Sequence, residues 1–283
     1  MKLTEIVGKT IVLATMHGKE RAFGPVFGDR FEIEIMVPTG LDTDSLGTFT
    51  GEVPRMGSIE ETATAKARLG ASVTGQKLVL ASEGAYGPHP TVPFIGAGFE
   101  LAILLDTRSG RIIREHLIDE NPVFDHVEIG RDTNIDAFLA RVRFPDHAVV
   151  VRGSDPLDGC VKGIRDRDQL DDVIGQMSRE ADSGPLLLQT DMRAHLNPRR
   201  METLGRLARK LADRLACPCP ACDAAGFGLT QTPKGLPCMA CGFPTDVVAI
   251  EVWGCTACGY NTNRWRRDGR VQAEPGDCPR CNP

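Results

Sequence analysis

Short apolar runs that alternate with helical patterns fill the N-terminal three quarters of the chain. The runs have the length and the β-branched content of strands. Strands that alternate with helices are typical of an α/β domain, so we expect a mixed sheet with flanking helices. The strand candidates are Thr10–Thr15, Phe31–Val37, Lys77–Ser82, Phe99–Thr107, Arg111–Ile118, Ala148–Arg152 and Pro185–Thr190.

Helix signals stand between several of these runs. Ser58 and Glu61 have the spacing of a capping box and predict a helix that runs through Ala71. In the segment Asp166–Ala181, apolar residues recur at helical spacing and would share one face.

A third helix is predicted where Asn197 precedes Pro198, because these residue types favour the N-cap and the first helical position. The helix is predicted to run to Ala216, with an apolar stripe that extends from Met201 to Leu215. The stretches 42–57 and 83–98 are rich in glycine and proline, and we expect them to be ordered loops.

The composition changes at Cys217, where glycine, proline and cysteine take over and helical patterns stop. This shift predicts an α/β domain over residues 1–216 and a small zinc-ribbon domain over residues 217–283. The repeated element of the second domain is the CxxC pair, which occurs four times.

Four CxxC pairs predict two structural zinc ions, each bound by four thiolates. Two residues between cysteines let one tight turn direct both sulfurs to the same ion, and a four-thiolate site leaves no open position for catalysis. We favour sequential pairing of the first two and the last two pairs, while interleaved pairing stays open. The predicted ligands are Cys219, Cys222, Cys238, Cys241, Cys255, Cys258, Cys278 and Cys281, which leaves Cys160 and Cys217 over.

Charge and composition narrow the function classes. The chain has 283 residues and a formal net charge of −5, so its surface as a whole does not favour binding of nucleic acid.

One basic patch, Arg264–Arg267 with Arg270, includes Trp265. We prefer to interpret this patch as a solvated hairpin, and a contact with nucleic acid is the alternative. We find no signal peptide and no membrane span, and we expect a soluble, cytoplasmic protein.

The first polar cluster, Thr15, His17 and Lys19, follows the first predicted strand directly. A loop with hydroxyl, glycine and lysine at a strand end is where α/β proteins bind phosphate. The alternative is an ordinary turn with a solvated lysine. The spacing is not that of a P-loop.

The second cluster comprises Asp42–Arg55, which contains Glu52, and Ala81–Pro90, which contains Glu83 just beyond a strand end. Carboxylates in such positions hold Mg²⁺ or act as bases, and neighbouring glycines would let a ligand approach the backbone. Two surface loops with solvated acids are the equally weighted alternative.

The third cluster is the segment TDMRAHLNPRR, which joins a strand to the capped helix. Arg193, His195 and Arg199, with Asp191, could converge on an anion at that helix N-terminus. Surface arginines that pair with nearby acids are the alternative.

The motifs DTDSLGTFTGEVPR, ASEGAYGPHP, TDMRAHLNPRR and GLPCMACG together resemble an uncharacterised bacterial family known only as a domain of unknown function. They extend over essentially the whole chain. This resemblance implies no activity.

A second resemblance concerns roughly residues 9–90. TIVLATMHGKERAF is similar to the opening strand and phosphate loop of the inosine/xanthosine triphosphate pyrophosphatases, and GSIEETATAKARLGASVTGQKLVLASEG resembles their KAR helix and acidic strand end. The chain departs from that family at His17, which replaces an asparagine, at Lys19, which comes one residue early, and at Ser82-Glu83, which replace paired aspartates.

The second resemblance implies that Lys19 binds phosphate, that Glu52 and Glu83 hold Mg²⁺, and that Arg193 and His195 face the phosphates or the base. We therefore expect a metal-dependent hydrolase of a nucleotide or another phosphorylated small molecule. The alternatives are a non-catalytic nucleotide- or nucleic-acid-binding protein with the zinc ribbon as contact surface, and a structural or protein-interaction protein.

Overall fold

The computed structural model describes residues 1–55, 57–89, 92–130, 133–154, 159–180 and 184–283. The chain divides into two units. The larger unit is Gly8–Ala212, and the smaller unit combines Met1–Val7 with Asp213–Pro283. The cysteine pairs belong to the smaller unit.

The first sheet of the larger unit has five strands in the order β2-β1-β3-β4-β5. Strand β1 pairs in parallel with both β2 and β3, whereas β3, β4 and β5 pair antiparallel, so the sheet is mixed as expected. Because β1 and β3 are parallel, the residues that follow β1 lie at the same sheet edge as the second half of β3. The elements are β1 (Thr10–Ala14), α1 (Glu20–Phe31), β2 (Glu34–Met36), α2 (Ile59–Thr74), β3 (Leu78–Pro88), β4 (Gly96–Asp106) and β5 (Arg111–Asp119).

The capping box of α2 forms as the sequence predicts. Ser58 Oγ accepts a hydrogen bond from the Glu61 backbone N–H, and the Glu61 carboxylate accepts one from the Ser58 N–H. Ala63 and Ala67 on its inner face are fully buried against Val79 and neighbouring residues of the sheet. The helix therefore fixes the position of the residues that precede it and of the polar side chains on its inner face.

A long regular hairpin replaces the loop that we expected at 83–98. β3 and β4 pair without a bulge from Leu78 opposite Asp106 to Pro88 opposite Gly96. The glycines in this stretch had suggested a loop, but the strands continue through them and keep Glu83 and Gly84 within the sheet. Pro90 of the ASEGAYGPHP motif lies outside the described residues.

The predicted strand at Phe31–Val37 is shorter than expected, because Phe31 is the last residue of α1 and only Glu34–Met36 pairs. Phe23, Phe27 and Phe31 are buried at i, i+4 spacing on α1. A helical stripe of phenylalanines, each of which gains about 1.5–3 kcal/mol from full burial, outweighs the strand preference of the segment.

A second, antiparallel sheet of four strands follows in the same unit, in the order β6-β9-β7-β8. Apolar residues of this sheet and of its helices, among them Phe138, Val151 and Leu170, form a separate buried core. Ala181, the predicted end of the helix that begins near Asp166, lies outside the described residues. The elements are β6 (His126–Ile129), α3 (Ile135–Arg141), β7 (Val149–Arg152), β8 (Cys160–Ile164), α4 (Arg167–Glu180), β9 (Leu186–Thr190) and α5 (Pro198–Leu215).

The smaller unit contains a three-stranded antiparallel sheet in the order β10-β11-β12. Its strands are β10 (Gly228–Gln231), β11 (Glu251–Gly254) and β12 (Asn261–Arg264). None of the helices in the described part of the chain has the length and apolar character needed to span a bilayer.

Candidate functional site

A narrow polar pocket lies in the larger unit, between residues of its two sheets. The first sheet contributes the segment after β1 and residues of β3, and the second sheet contributes residues of β7 and β8 and the segment after β9. The solvent-accessible volume is about 60 Å³. Because a buried water needs about 10–15 Å³ by this measure, the space admits a phosphate-sized group. The pocket is lined by six Lys or Arg side chains, namely Lys19, Arg55, Lys66, Lys162, Arg193 and Arg200, and by three acids, Asp44, Glu83 and Asp191.

Lys19 is a buried cation of this pocket. Its Nζ donates hydrogen bonds to Ser82 O at 2.9 Å and to Ser82 Oγ at 3.0 Å, and it forms no ion pair with any described residue. Burial and the nearby charges of Arg200 and Lys66 lower the pKa of Lys19 to about 7. The charges of Glu100 and Glu83 do not outweigh burial and the two cations, so an anion that enters the pocket beside Lys19 would be bound favourably.

Glu83 joins two cations of the pocket. Its carboxylate lies 2.6 Å from Lys66 Nζ and 2.6 Å from Arg55 Nη2. Burial alone would raise the pKa of Glu83, but the charges of Lys66 and Lys19 outweigh it and hold the pKa below its ordinary value. Glu83 is therefore an ionised carboxylate that holds Arg55 and Lys66 at the pocket wall.

Two glycines permit the close approaches at this wall. Gly47 has φ of 131°, and a Cβ there would lie 3.0 Å from Arg55 Cα. A Cβ on Gly84 would lie 2.5 Å from Arg200 Nη2 and 2.7 Å from Glu100 Oε1. The absence of side chains at both positions lets the loop after β2 fold back and lets Arg200 cross β3.

Arg200 is held by a buried network behind the pocket. Its Nε lies 2.7 Å from Oε1 of Glu100, which is fully buried, and Tyr86 donates a short hydrogen bond to the same carboxylate. The guanidinium also contacts the Tyr86 ring, at 5.5 Å from the centroid. Burial raises the pKa of Tyr86 well above its ordinary value, so Tyr86 stays a neutral donor.

The second sheet supplies the opposite wall of the pocket. Lys162 on β8 forms an ion pair with Glu52, and Arg193 after β9 forms one with Asp191, with 2.7 Å between Nη2 and Oδ2. Cationic groups thus face one another across the pocket from both sheets. Such convergence suits a ligand with several anionic oxygens, which Arg and Lys bind through charge-assisted hydrogen bonds.

Most of the site residues that the sequence predicts lie at this pocket. His17, Lys19, Glu83, Asp191 and Arg193 line it directly. Three more predicted residues contact lining residues without lining the pocket themselves. Glu52 contacts the lining residue Lys162, Thr15 Oγ1 accepts the His17 backbone N–H, and the His195 ring stacks on His17 with 5.7 Å between centroids.

Arg199 does not line this pocket. Its Nη2 lies 2.6 Å from Asp119 Oδ1, and its Nε donates to the Asn121 carbonyl. The next residue, Arg200, takes the place in the pocket instead. Adjacent residues on a helix point in directions about 100° apart, and nothing in the sequence indicates which of the two arginines faces inward.

Lys66 and Lys162 line the pocket but stood outside the predicted clusters, whereas Asp44 and Arg55 belonged to the second cluster without a role of their own. Arg55 and Lys66 stand within quoted motifs, but their roles depend on a contact with Glu83, 28 and 17 residues away. Lys162 comes from a strand that the apolar pattern did not predict, since β8 is only half-buried.

The carboxylates of the pocket do not fit a magnesium ion held by the protein alone. Glu83 is occupied by Arg55 and Lys66, and Glu52 by Lys162 and Thr50. Among the described residues, the groups of three or more His, Cys, Asp or Glu with metal-binding spacing are the two cysteine clusters of the smaller unit.

Eight cysteines in the smaller unit form two tetrahedral clusters. The Sγ atoms of Cys219 and Cys258 are 3.8 Å apart, and those of Cys241 and Cys278 are 3.7 Å apart. A zinc ion at about 2.3 Å from four sulfurs requires S···S edges of about 3.8 Å, so both clusters fit the ion. The clusters are Cys219, Cys222, Cys255 and Cys258, and Cys238, Cys241, Cys278 and Cys281.

The expected sequential pairing is therefore wrong, and the pairing is interleaved. The sheet brings the first pair to the third, because Gly228 after the first pair lies opposite Gly254, which precedes Cys255. The second pair is brought to the fourth by a parallel bridge between Cys238 and Ala273. Strand pairing between distant segments determines the ligand sets, and cysteine spacing does not report it.

Backbone N–H groups within the pairs stabilise the thiolates. The Ala257 N–H donates to Cys255 Sγ at 3.3 Å, and the Ala240 N–H donates to Cys238 Sγ at 3.4 Å. Burial raises the pKa of Cys255, but the Ala257 and Cys258 N–H groups and the other thiols of the cluster bring it to about 7. The Ala224 N–H would lower the pKa of Cys222, but its contacts with the thiols of Cys258 and Cys255 raise that pKa to about 12. Zinc binding therefore has to displace protons from part of the cluster.

The two remaining cysteines lie outside the metal clusters. Cys217 is partly buried beside the first cluster. Cys160 lies on β8, where burial and the nearby Glu52 raise the pKa of its thiol to about 11. A thiol of such a pKa is protonated at neutral pH and is not an activated nucleophile.

The basic patch of the smaller unit is largely engaged within the protein. The Arg264 guanidinium lies 3.9 Å from the Trp253 ring centroid. Arg266 pairs with Asp268, and Arg270 with Asp277 at 3.2 Å. Trp265 is 79% exposed.

The protein therefore has two units of different character. The larger α/β unit carries a cationic pocket, and the smaller unit carries two tetracysteine clusters. The chain belongs to the family described as Domain of unknown function (DUF6671), whose model matches residues 66–283. This match confirms the first resemblance that the motifs indicate. The matched residues include all eight cysteine ligands and the pocket residues from Lys66 onward. No curated protein matches the chain.

Proposed function

We propose that this protein is a hydrolase of a nucleotide or another phosphorylated small molecule, whose phosphates bind in the cationic pocket. The observation that carries the proposal is Lys19, a buried amine in the pocket that forms no direct ion pair with any described residue. A phosphate oxygen beside Lys19 Nζ would supply the missing negative charge.

The charge distribution supports an anionic ligand. The chain as a whole has a formal net charge of −5, yet six cationic side chains converge on this one pocket. Opposed cations also stabilise the charge that develops on phosphoryl oxygens during transfer, which is the main contribution of proteins to this chemistry. The resemblance to the inosine/xanthosine triphosphate pyrophosphatases agrees with this class of ligand.

An aromatic group at the pocket favours a nucleotide among phosphorylated compounds. Phe49 lines the pocket and is 39% exposed, and its ring makes edge contacts with Tyr86 and Phe124 at 6.0 Å. An exposed, supported ring beside a phosphate site offers a surface on which a base can stack, with about 1–3 kcal/mol gained per stacked base.

In this proposal, Mg²⁺ binds at the pocket only together with the phosphates of the ligand. The carboxylates of the pocket already bind cations, so Mg²⁺ would arrive with the phosphates, as it commonly does in phosphoryl-transfer sites. The side chains of this chain would bind and orient the phosphates, and a water would attack the phosphorus atom.

A screen of nucleoside mono-, di- and triphosphates and simple phosphate esters tests the proposal. Phosphate and pyrophosphate release would be followed by ³¹P NMR in buffer with Mg²⁺, and ligand binding by thermal shift. We expect turnover of at least one compound by the wild type and its loss in Lys19→Met. If no compound is turned over or bound, the proposal is wrong.

The runner-up is a non-catalytic nucleic-acid-binding protein with the zinc module as contact surface, favoured only by the exposed Trp265 among arginines. It predicts salt-dependent binding to DNA or RNA that is lost when Arg264, Arg266 and Arg267 are changed together. Binding of this kind without any phosphohydrolase activity would favour the runner-up.

A further inference from the structure

His17 and Asp44 form a hydrogen-bonded pair at the pocket. His17 Nε2 lies 3.0 Å from Asp44 Oδ1, and both residues line the pocket. The two residues are 27 positions apart, and each is fixed locally. Thr15 Oγ1 accepts the His17 backbone N–H at 3.1 Å, and Asp42 Oδ1 accepts the Asp44 N–H at 3.0 Å.

The pair determines which ring nitrogen can exchange a proton with a ligand. An ionised carboxylate only accepts hydrogen bonds, so in the neutral imidazole of His17 the hydrogen is assigned to Nε2 and the lone pair to Nδ1. The hydrogen bond from His17 keeps the pKa of Asp44 below its ordinary value, which leaves Asp44 ionised. The hydrogen bond of the His17 ring among the described residues is the one from Nε2 to Asp44.

The His195 ring stacks on the His17 ring. The two imidazoles are nearly parallel, with 19° between their planes. Burial and the nearby His17 and Arg193 lower the pKa of His195, so His195 stays neutral at physiological pH. The charges of Lys66 and Lys162 act on Asp44, and the charges of Asp191 and Arg193 act on His195.

The acids of the pocket are less suited to proton transfer than His17. Glu83 is paired with two cations, and Asp191 accepts hydrogen bonds from Arg193. Carboxylates that are held ionised by cations are weak bases. His17, by contrast, combines an available nitrogen with an orienting carboxylate, which is the arrangement of a general base and its positioning group.

We propose that His17 is the general acid–base residue of the hydrolysis and that Asp44 is its positioning residue. The inference rests on the proposed function. The oxygen of a water forms a bond to phosphorus while its proton passes to Nδ1 of His17. The bond between phosphorus and the leaving oxygen breaks with its electron pair, and the imidazolium returns the proton to that oxygen.

The test uses the full-length protein and whichever phosphorylated compound the wild type turns over in the screen. His17→Gln retains an amide that can bind Asp44 but cannot exchange protons at neutral pH. We expect kcat to fall by about 10²–10⁴-fold with KM changed less than about threefold. His126→Gln, at an exposed histidine of β6, is the matched control and should keep wild-type kcat.

Asp44→Asn tests the positioning role. The asparagine keeps the shape of the side chain but no longer fixes the hydrogen on Nε2, so kcat should fall and the pH–rate profile should change. Added imidazole should restore part of the activity of His17→Ala, because a free base can then enter the vacated space. A purely structural role of His17 would show no such rescue.

The outcomes separate the two proposals. If the wild type turns over no compound, the proposed function and this inference are both overturned. If the wild type is active and His17→Gln retains kcat, or changes only KM, this inference alone is wrong. Nitrogen-15 NMR of the imidazoles provides a readout besides activity: we expect the Nε2–H form of His17, and the Nδ1–H form would overturn the inference.

Discussion

Lys19 is the residue whose environment most directly predicts a measurable pH effect. Its pKa is lowered to about 7 by burial and by Arg200 and Lys66, so much of Lys19 is neutral at pH 8. A bound anion favours the ammonium form and raises this pKa, so binding should be accompanied by proton uptake. Affinity for pyrophosphate should therefore fall as the pH rises from 7 to 9.

Calorimetry in two buffers with different ionisation enthalpies measures this proton uptake. Lys19→Met should bind pyrophosphate more weakly and with no proton uptake at pH 8. The same proton uptake in wild type and Lys19→Met would show that the linked group is not Lys19.

Glu83 gives a second prediction at the scale of single residues. Glu83→Gln leaves the buried Lys66 ammonium without its carboxylate, and breaking a buried pair in this way costs about 3 kcal/mol of unfolding free energy. Catalytic turnover should be lost as well, because Arg55 and Lys66 are no longer held in place.

Phosphate added to the variant supplies an anion for the same cations. Thermal unfolding should therefore show a larger stabilisation by phosphate in Glu83→Gln than in the wild type. Equal stabilisation of both proteins would mean that phosphate does not bind beside Lys66.

At the scale of elements, the site depends on strand β3, whose regular pairing with β4 continues through Gly84. Gly84→Ala places a Cβ against the Arg200 guanidinium, which Glu100 holds in a buried ion pair. Overpacking of this kind costs about 1–3 kcal/mol. Unfolding in urea should show that loss for Gly84→Ala.

Gly87→Ala is the matched control for this prediction, since it lies on the same strand and a Cβ there meets no atom within 4 Å. The control should unfold at the wild-type midpoint. Two variants of equal stability would contradict the close approach of Arg200 to β3.

The sequence predicts individual elements well where one local signal dominates. The capping box at Ser58 and the N-cap at Asn197 position α2 and α5 correctly, since the relevant hydrogen bonds form between neighbouring residues. The extension of β3 through residues 83–88 and the strand β8 were missed, because their pairing partners are distant in sequence.

The prediction of the sites is limited in the same way, because residues that pair over a long sequence distance cannot be matched from the sequence. Lys19, Glu83 and Arg193 were recognisable as polar residues that follow strands or lie within them. Lys66, which pairs with Glu83, and Lys162, which pairs with Glu52, were not, because only the folded chain brings these side chains together. The cysteines show the limit most clearly, since their spacing predicts eight ligands but not which four share an ion.

At the scale of the whole molecule, the ligand sets of the zinc module can be tested by counting metal. The wild type should contain two zinc ions per chain. With interleaved pairing, Cys219→Ser with Cys255→Ser removes two ligands from one cluster, so one zinc ion should remain. Cys219→Ser with Cys238→Ser damages both clusters and should lose both ions.

Plasma mass spectrometry of purified, desalted protein gives the zinc content of each variant. Sequential pairing would exchange the two results, with loss of both ions from the first variant and of one from the second. The two double variants serve as controls for one another because each removes two thiols.

The central claim is that the pocket between the two sheets of the larger unit binds phosphate groups. Isothermal titration of pyrophosphate into the full-length protein measures this most directly. Arg193→Gln removes a cation of the pocket, and Arg206→Gln, at an exposed position of α5, changes the net charge equally outside the pocket. We predict one pyrophosphate per wild-type chain, weakened by added salt and by Arg193→Gln but not by Arg206→Gln. Absence of binding, or equal effects of the two arginine variants, would contradict the claim.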